Sequence, residues 1–278
     1  MKTTRALGVL FFGMLVHASL FAQTVNLLVV SKVHSYTQTN NSTTVDATNP
    51  WSFAAHVEGS SGDLSGAAAM LTIPSGTGST TMTYNAGGPK WSVNASFATQ
   101  SALDAAYGNG NYSLTAYGQT VSPIAVTGDL YPSAPLATNL SGGTIVGGIL
   151  TWDVSQALTI TIAGTADHMG MNIDGTNYNA SPEVFGQSSL TFTVPAASMM
   201  AGNSYSVELD FDKIVGGTLG NFGGTGAMAT AQYAGVYTAA TFFTISAVSP
   251  VPEPSTYAAI FGAVALAGVM VGRRLVRA

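Results

Sequence analysis

The sequence predicts an all-β protein of two antiparallel β-sandwich domains, with one apolar helix at each end of the chain. Three observations carry this. Between residues 23 and 250 the chain is built of short runs rich in Thr, Val, Ile, Tyr and Phe, the residue types that fit a pleated, half-buried surface. Gly, Asn, Ser and Pro interrupt these runs at short intervals, as turns between strands require. Outside the two ends no segment keeps a 3.6-residue apolar period over several turns.

Taken in order, Lys2 and Arg5 precede an apolar core from Ala6 to Val16, and Leu20-Phe21-Ala22 supplies a small residue before a cut. That is the pattern of a signal helix, 1–22, cleaved after Ala22, with Ala18 as the alternative. The body that follows, 23–250, is 228 residues long, enough for one large β domain or two ordinary ones.

The first half, 23–130, reads as strands at Val25–Val33, Trp51–Glu58, Ala67–Ile73, Thr80–Tyr84, Trp91–Phe97 and Tyr112–Tyr117, then 122–127. Tyr36–Asn49 is nearly free of core residues and reads as a loop or an exposed strand pair. Thr99–Tyr107 reads as a short helix with Leu103, Ala106 and Tyr107 on one face. Two prolines, Pro132 and Pro135, place a domain boundary at about 128–137.

The second half, 131–250, starts with a strand at Thr144–Trp152, weakened by Gly147-Gly148. Leu158, Ile160 and Ile162 then alternate with Thr159 and Thr161, and Leu190, Phe192 and Val194 with Thr191 and Thr193. Tyr205, Val207, Leu209 and Phe211 alternate with Ser206, Glu208 and Asp210. All three runs read as strands with one face buried. Thr241–Val248 closes the body. Gly216-Gly217 and Gly223-Gly224 mark a loop.

The tail, 251–278, has three parts. Val251-Pro252-Glu253-Pro254-Ser255 is a stiff, non-helical peptide, because each proline fixes its own φ and biases the residue before it. Tyr257 to Gly272 is uncharged and, as a helix, spans roughly 24 Å. Arg273, Arg274 and Arg277 end it. With snorkelling arginines the run can just cross a bilayer as a transmembrane helix, the basic cluster staying cytoplasmic.

These tail residues resemble the PEP-CTERM sorting signal of bacterial exported proteins. The resemblance implies recognition and cleavage by an exosortase-type membrane protease-transpeptidase. It further implies a transient inner-membrane anchor, delivery to the cell surface or extracellular matrix, and an association with exopolysaccharide and biofilm. A second resemblance covers roughly 60 residues. The order strand, Pro195, Met199-Met200, Gly202-Asn203, Tyr205 is similar to the late strands of fibronectin type III and immunoglobulin-like surface domains, with Met200 in the place of a leucine. It implies a fold and no activity.

Charge limits the function classes. Between 23 and 250 there are three lysines, no arginine and twelve carboxylates, a net of −9. That excludes the phosphate contacts on which nucleic-acid affinity rests. With no cysteine in the chain, there is no disulfide, thiol nucleophile or thiolate metal site.

No catalytic motif is present. Asp167-His168 forms a poor dyad, since neighbours on a strand point to opposite faces. Glu208, Asp210 and Asp212 make an outward acidic row, which reads as a solvated face ahead of a glycoside hydrolase pair or a Ca²⁺ site. Asp167, Asn172, Asp174 and Asn177 form an oxygen-rich stretch read as an Asx-rich turn, with Asp167 and Asp174 as weak metal candidates. Trp51, Trp91 and Trp152 are read as packing ahead of sugar platforms. The expectation is an exported structural or adhesive protein without cofactor, with a carbohydrate-binding module as the alternative and a glycoside hydrolase behind it.

Overall fold

The computed structural model describes residues 24–61, 68–74, 78–85, 90–116, 119–138, 140–141, 143–218, 232–249 and 261. The expected signal segment with Ala22, the sorting motif Val251–Ser255 and the cluster of Arg273, Arg274 and Arg277 lie outside the described residues. So does the Gly223-Gly224 loop. Among the described residues no helix is long and apolar enough to cross a membrane.

The described chain is all-β apart from one short helix. In the first half the strands are β1 (Thr24–Gln38), β2 (Thr43–Val45), β3 (Trp51–Ser61), β4 (Met70–Thr72), β5 (Ser79–Thr81), β6 (Thr83–Asn85), β7 (Lys90–Phe97), β8 (Gly110–Ala116) and β9 (Gln119–Val126), with α1 (Gln100–Ala106) before β8. In the second half they are β10 (Ile145–Val146), β11 (Ile149–Asp153), β12 (Leu158–Ala163), β13 (His168–Asp174), β14 (Glu183–Phe185), β15 (Ser189–Val194), β16 (Ser204–Thr218) and β17 (Gln232–Val248).

One 11-stranded sheet runs through both halves in the order β14-β13-β16-β17-β1-β3-β7-β6, with β2, β10 and β11 attached off this path. It is mixed. β17 pairs antiparallel with β16 along one edge. Its other edge is shared by two parallel neighbours, β1 against Gln232–Phe242 and β11 against Thr244–Val248. This corrects the expectation of purely antiparallel sandwiches: the first described strand lies parallel to the last, inside the sheet.

Two cores sit side by side on this sheet. The first packs Leu28, Val30, Phe53 and Val57 against Leu71, Leu114, Val121 and Ile124 of the separate sheet β5-β4-β8-β9. The second packs Val207, Leu209, Phe243 and Ile245 against Leu158, Ile160, Ile162 and Leu190 of the two-stranded sheet β12–β15. β17 serves both, giving Tyr237 to the first core and Phe243 to the second. Each covering sheet follows from strict alternation: Leu158, Ile160 and Ile162 are buried while Thr159 and Thr161 face outward.

Glycines let the layers close. Gly216 and Gly235 stand opposite one another on β16 and β17, and a Cβ on either would run into the Ala125 backbone of β9. The covering sheet can lie on this corner only because both side chains are missing. Gly147 and Gly148, at φ +59° and +84°, form the turn of the β10–β11 hairpin, so Thr144–Trp152 is two strands rather than one. α1 is capped by Thr99, whose hydroxyl accepts from the Ala102 amide, and buries Leu103. Ala106 is exposed. Tyr205 is buried and its hydroxyl accepts from the Met200 amide at 2.8 Å. Met199 fills the core beside it and Met200 is exposed, which corrects the place assigned to Met200.

A candidate binding trough on the outer face of the large sheet

The buried faces of β16, β17 and β1 leave the alternate residues on the other side of the sheet. Glu208, Asp210, Asp212 and Ile214 come from β16, Ala234, Val236 and Thr238 from β17, and Leu27, Val29, Ser31 and Val33 from β1. With His168 of β13, Glu183 and Phe185 of β14 and His56 of β3 they line a trough of about 730 Å³. One wall is apolar and the other acidic. Its size is that of a small-molecule site.

Strand register builds the acidic wall. His168, Asp212 and Thr238 stand in one row across β13, β16 and β17. Asp212 uses both oxygens: Oδ2 lies 2.7 Å from His168 Nδ1, and Oδ1 accepts from Thr238 Oγ1 at 2.5 Å. His168 Nε2 reaches Glu183 Oε2 at 3.3 Å, and its ring lies 4.5 Å from that of Phe185. Burial opposes the imidazolium, but Asp212 and Glu183 together outweigh it, and the His168 pKa is raised above 6.5.

One row further along, Glu183, Gly170 and Asp210 face each other. A Cβ on Gly170 would sit 3.0 Å from Asp210 Oδ2 and 3.3 Å from His168 Cε1, so its absence makes room for both side chains. Burial, then the Glu208 and Asp212 charges, push the Asp210 pKa well above 3.8 against the opposing pull of His168. Burial also raises Glu208. The two carboxyls are neighbours on one face of β16, and each shifts the other. No lysine or arginine is among the described lining residues.

The sequence-predicted residues are distributed differently. Asp167 does not orient His168. It pairs with Lys213 Nζ at 3.0 Å and accepts from the Ile214 amide at 2.9 Å. Of the oxygen-rich stretch, Asn172 and Asp174 lie on strand β13, with Asn172 Oδ1 accepting from Ser181, and Asn177 lies in the turn that follows, where the Gly175 amide donates to Asn179 Oδ1. Asp167, just before β13, and Asp174, its last residue, are therefore roughly 23 Å apart at 3.3 Å per residue and cannot share a cation. Among the described residues no group of three His, Asp or Glu is placed to hold a metal. Trp152 is buried in the second core. Trp51 has one face stacked on His34 at 3.7 Å and its edge toward Tyr131. Trp91 packs against Tyr84 at 5.1 Å.

One polar cluster escaped the sequence reading. Lys32 is 0% exposed. Its Nζ donates to Asp104 Oδ1 and Asn109 Oδ1, both at 2.6 Å, and Tyr237 donates to the same Asn109 oxygen at 2.9 Å. This ties β1, α1, the turn before β8 and β17 together. The signal was present: Lys32 continues the core-facing parity of Leu28 and Val30.

No family model matches the chain, and no curated protein matches it. Among solved structures, the chain is similar to the human OSCAR ligand-binding domain at 12% identity, over 68% of this chain and 91% of that one, with a TM-score of 0.20. It is also similar to a bacterial ice-binding adhesin, from a structure concerned with its retention at the host cell surface. There the identity is 14%, over 82% of this chain and 66% of that one, with a TM-score of 0.25.

Proposed function

We propose that this is an exported protein of the cell surface or extracellular matrix, structural or adhesive rather than catalytic, and that the trough is the surface with which its β body binds. The observation that carries the binding reading is the trough itself, where apolar side chains of β1 and β17 lie beside the acidic groups of β14 and β16. Export rests on the basic start and apolar core of 1–22. Sorting by an exosortase-type enzyme, alongside exopolysaccharide, rests on Val251–Ser255, the apolar run and Arg273, Arg274 and Arg277. The immunoglobulin- or fibronectin-like reading of the body is supported by the Tyr205–Met200 hydrogen bond, which ties a strand tyrosine to backbone a few residues upstream.

The bonding of the carboxylates favours binding over hydrolysis. A glycosidase needs two carboxyls flanking the scissile bond, about 5–9.5 Å apart. Both Asp212 oxygens are instead already engaged, by His168 and Thr238. The carbohydrate-module reading is the weaker alternative, because the tryptophans that would stack a sugar are packed against protein.

Fractionation of cells producing the full chain tests destination. The parent is expected at the surface or in the medium, and a form with Arg273, Arg274 and Arg277 replaced by Ala is expected to stay unprocessed in the membrane. Identical trimming and delivery of both would defeat the sorting proposal. Co-sedimentation of the secreted product with exopolysaccharide, compared between the parent and a Trp51→Ala variant, separates the adhesive reading from the carbohydrate module.

A further inference from the structure

We infer that the trough takes a small organic cation: a protonated amine carried on an apolar body. The inference rests on the reading of the trough as a binding surface and names the chemistry that fits it.

Charge selects the head group. Four carboxyl groups, Glu183, Glu208, Asp210 and Asp212, line this wall with one imidazole, His168, which is bonded to two of them. Acidic groups on it thus outnumber basic ones four to one. The remaining titratable lining group, His56 on β3, is held toward its neutral form by burial, against Glu58 and aided by Lys90. Lys213 lies on the alternate side of β16, paired with Asp167. An anion would meet net repulsion, and a cation net attraction in a partly desolvated site.

The opposite wall selects the body. Leu27, Val29, Val33, Ala234 and Val236 offer hydrocarbon along two adjacent parallel strands. Phe185 closes one end with 49% of its surface exposed, available to hydrocarbon or to a cation over its ring. A sugar would find few partners here. The hydroxyls facing in are Ser31 and Thr238, and Thr238 already donates to Asp212. With both Asp212 oxygens engaged, the head group's acceptors are Glu208 and Glu183.

The test uses the full-length protein and four probes: 2-phenylethylamine, 2-phenylethanol, 3-phenylpropanoate and methylammonium. Binding is followed at neutral pH by amide chemical shifts and calorimetry. Phenylethylammonium is expected to shift amides of residues 27–33, 208–214 and 234–238. It should bind about tenfold or more tightly than the alcohol, ~1.4 kcal/mol, and to weaken with salt. The propanoate and the bare methylammonium should bind less tightly than either. Glu208→Gln and Glu183→Gln should each lower amine affinity several-fold and alcohol affinity by clearly less.

If the alcohol binds as tightly as the amine, or neither variant weakens the amine, the cation inference is overturned while the trough remains a binding surface. If no probe moves trough amides at millimolar concentration, both readings fall together.

Discussion

Asp212 and His168 face one another across β16 and β13 with Oδ2 and Nδ1 2.7 Å apart. His168 is raised above 6.5 in the folded protein, so it binds its proton more tightly there than in the unfolded chain. Its contribution to stability is full below about pH 6.5 and is lost as pH rises through the raised value. In Asp212→Asn the largest opposing effect, burial, is less compensated, and the His168 pKa falls. Ring NMR titration of His168 reads this directly, and denaturant melts on either side of pH 6.5 should show the parent losing stability that the variant never had.

Asp210 has the same sign with a different window. Its folded pKa lies well above 3.8, so the stability it brings is full below that value and declines as pH climbs through the folded one. Asn keeps a donor toward Glu208 and cannot ionise. Asp210→Asn is expected to raise neutral-pH stability by about 1 kcal/mol, seen as a higher melting temperature with a flatter pH dependence.

Lys32 is a buried cation held by Asp104 and Asn109. Lys32→Met leaves Asp104 without this donor and Asn109 with Tyr237 alone, at a cost of about 3 kcal/mol. The Asp104 side chain is 32% exposed and reaches water, so Lys32→Met with Asp104→Asn should recover part of the loss. A double-mutant cycle by urea unfolding measures the coupling.

Gly235→Ala places a methyl against the Ala125 backbone and forces β9 off the large sheet. The expected loss is about 3 kcal/mol or more. Gly108→Ala meets only an ordinary 3.5 Å contact with the Asp104 carbonyl and should cost under about 1 kcal/mol. Thermal melts of the two variants compare a close approach with an open one.

Local alternation made much of the fold legible. Leu158, Ile160 and Ile162 declared a half-buried strand, as did Tyr205 to Phe211. The early part of β17 was not legible. Between Tyr233 and Ala240 buried residues follow one another, 234–237 without a break, and a strand of that kind reads as an unbroken apolar run with no period to detect. Its parallel partner β1 lies some 200 residues earlier in the chain, a pairing that no local pattern encodes.

The acidic row of β16 was read correctly as pointing away from the core and incorrectly as solvated. What closes over it is register. Gly170 opposite Asp210 and His168 opposite Asp212 come from a stretch read as a turn. The strand at 168–174 was missed because Asp167, Asn172 and Asp174 disfavour strands by propensity, while its buried Met169, Met171 and Ile173 carried the alternation that prevailed.

If the outer face of the large sheet, between β14 and β3, is the binding surface, ligands must perturb it first. A screen of cationic, neutral, anionic and saccharide fragments against the isotope-labelled full-length protein tests it most directly. The largest amide shifts are expected in residues 27–33, 208–214 and 234–238 around His168. Shifts confined to other surfaces, such as the exposed threonines of β12 and β15, would contradict it.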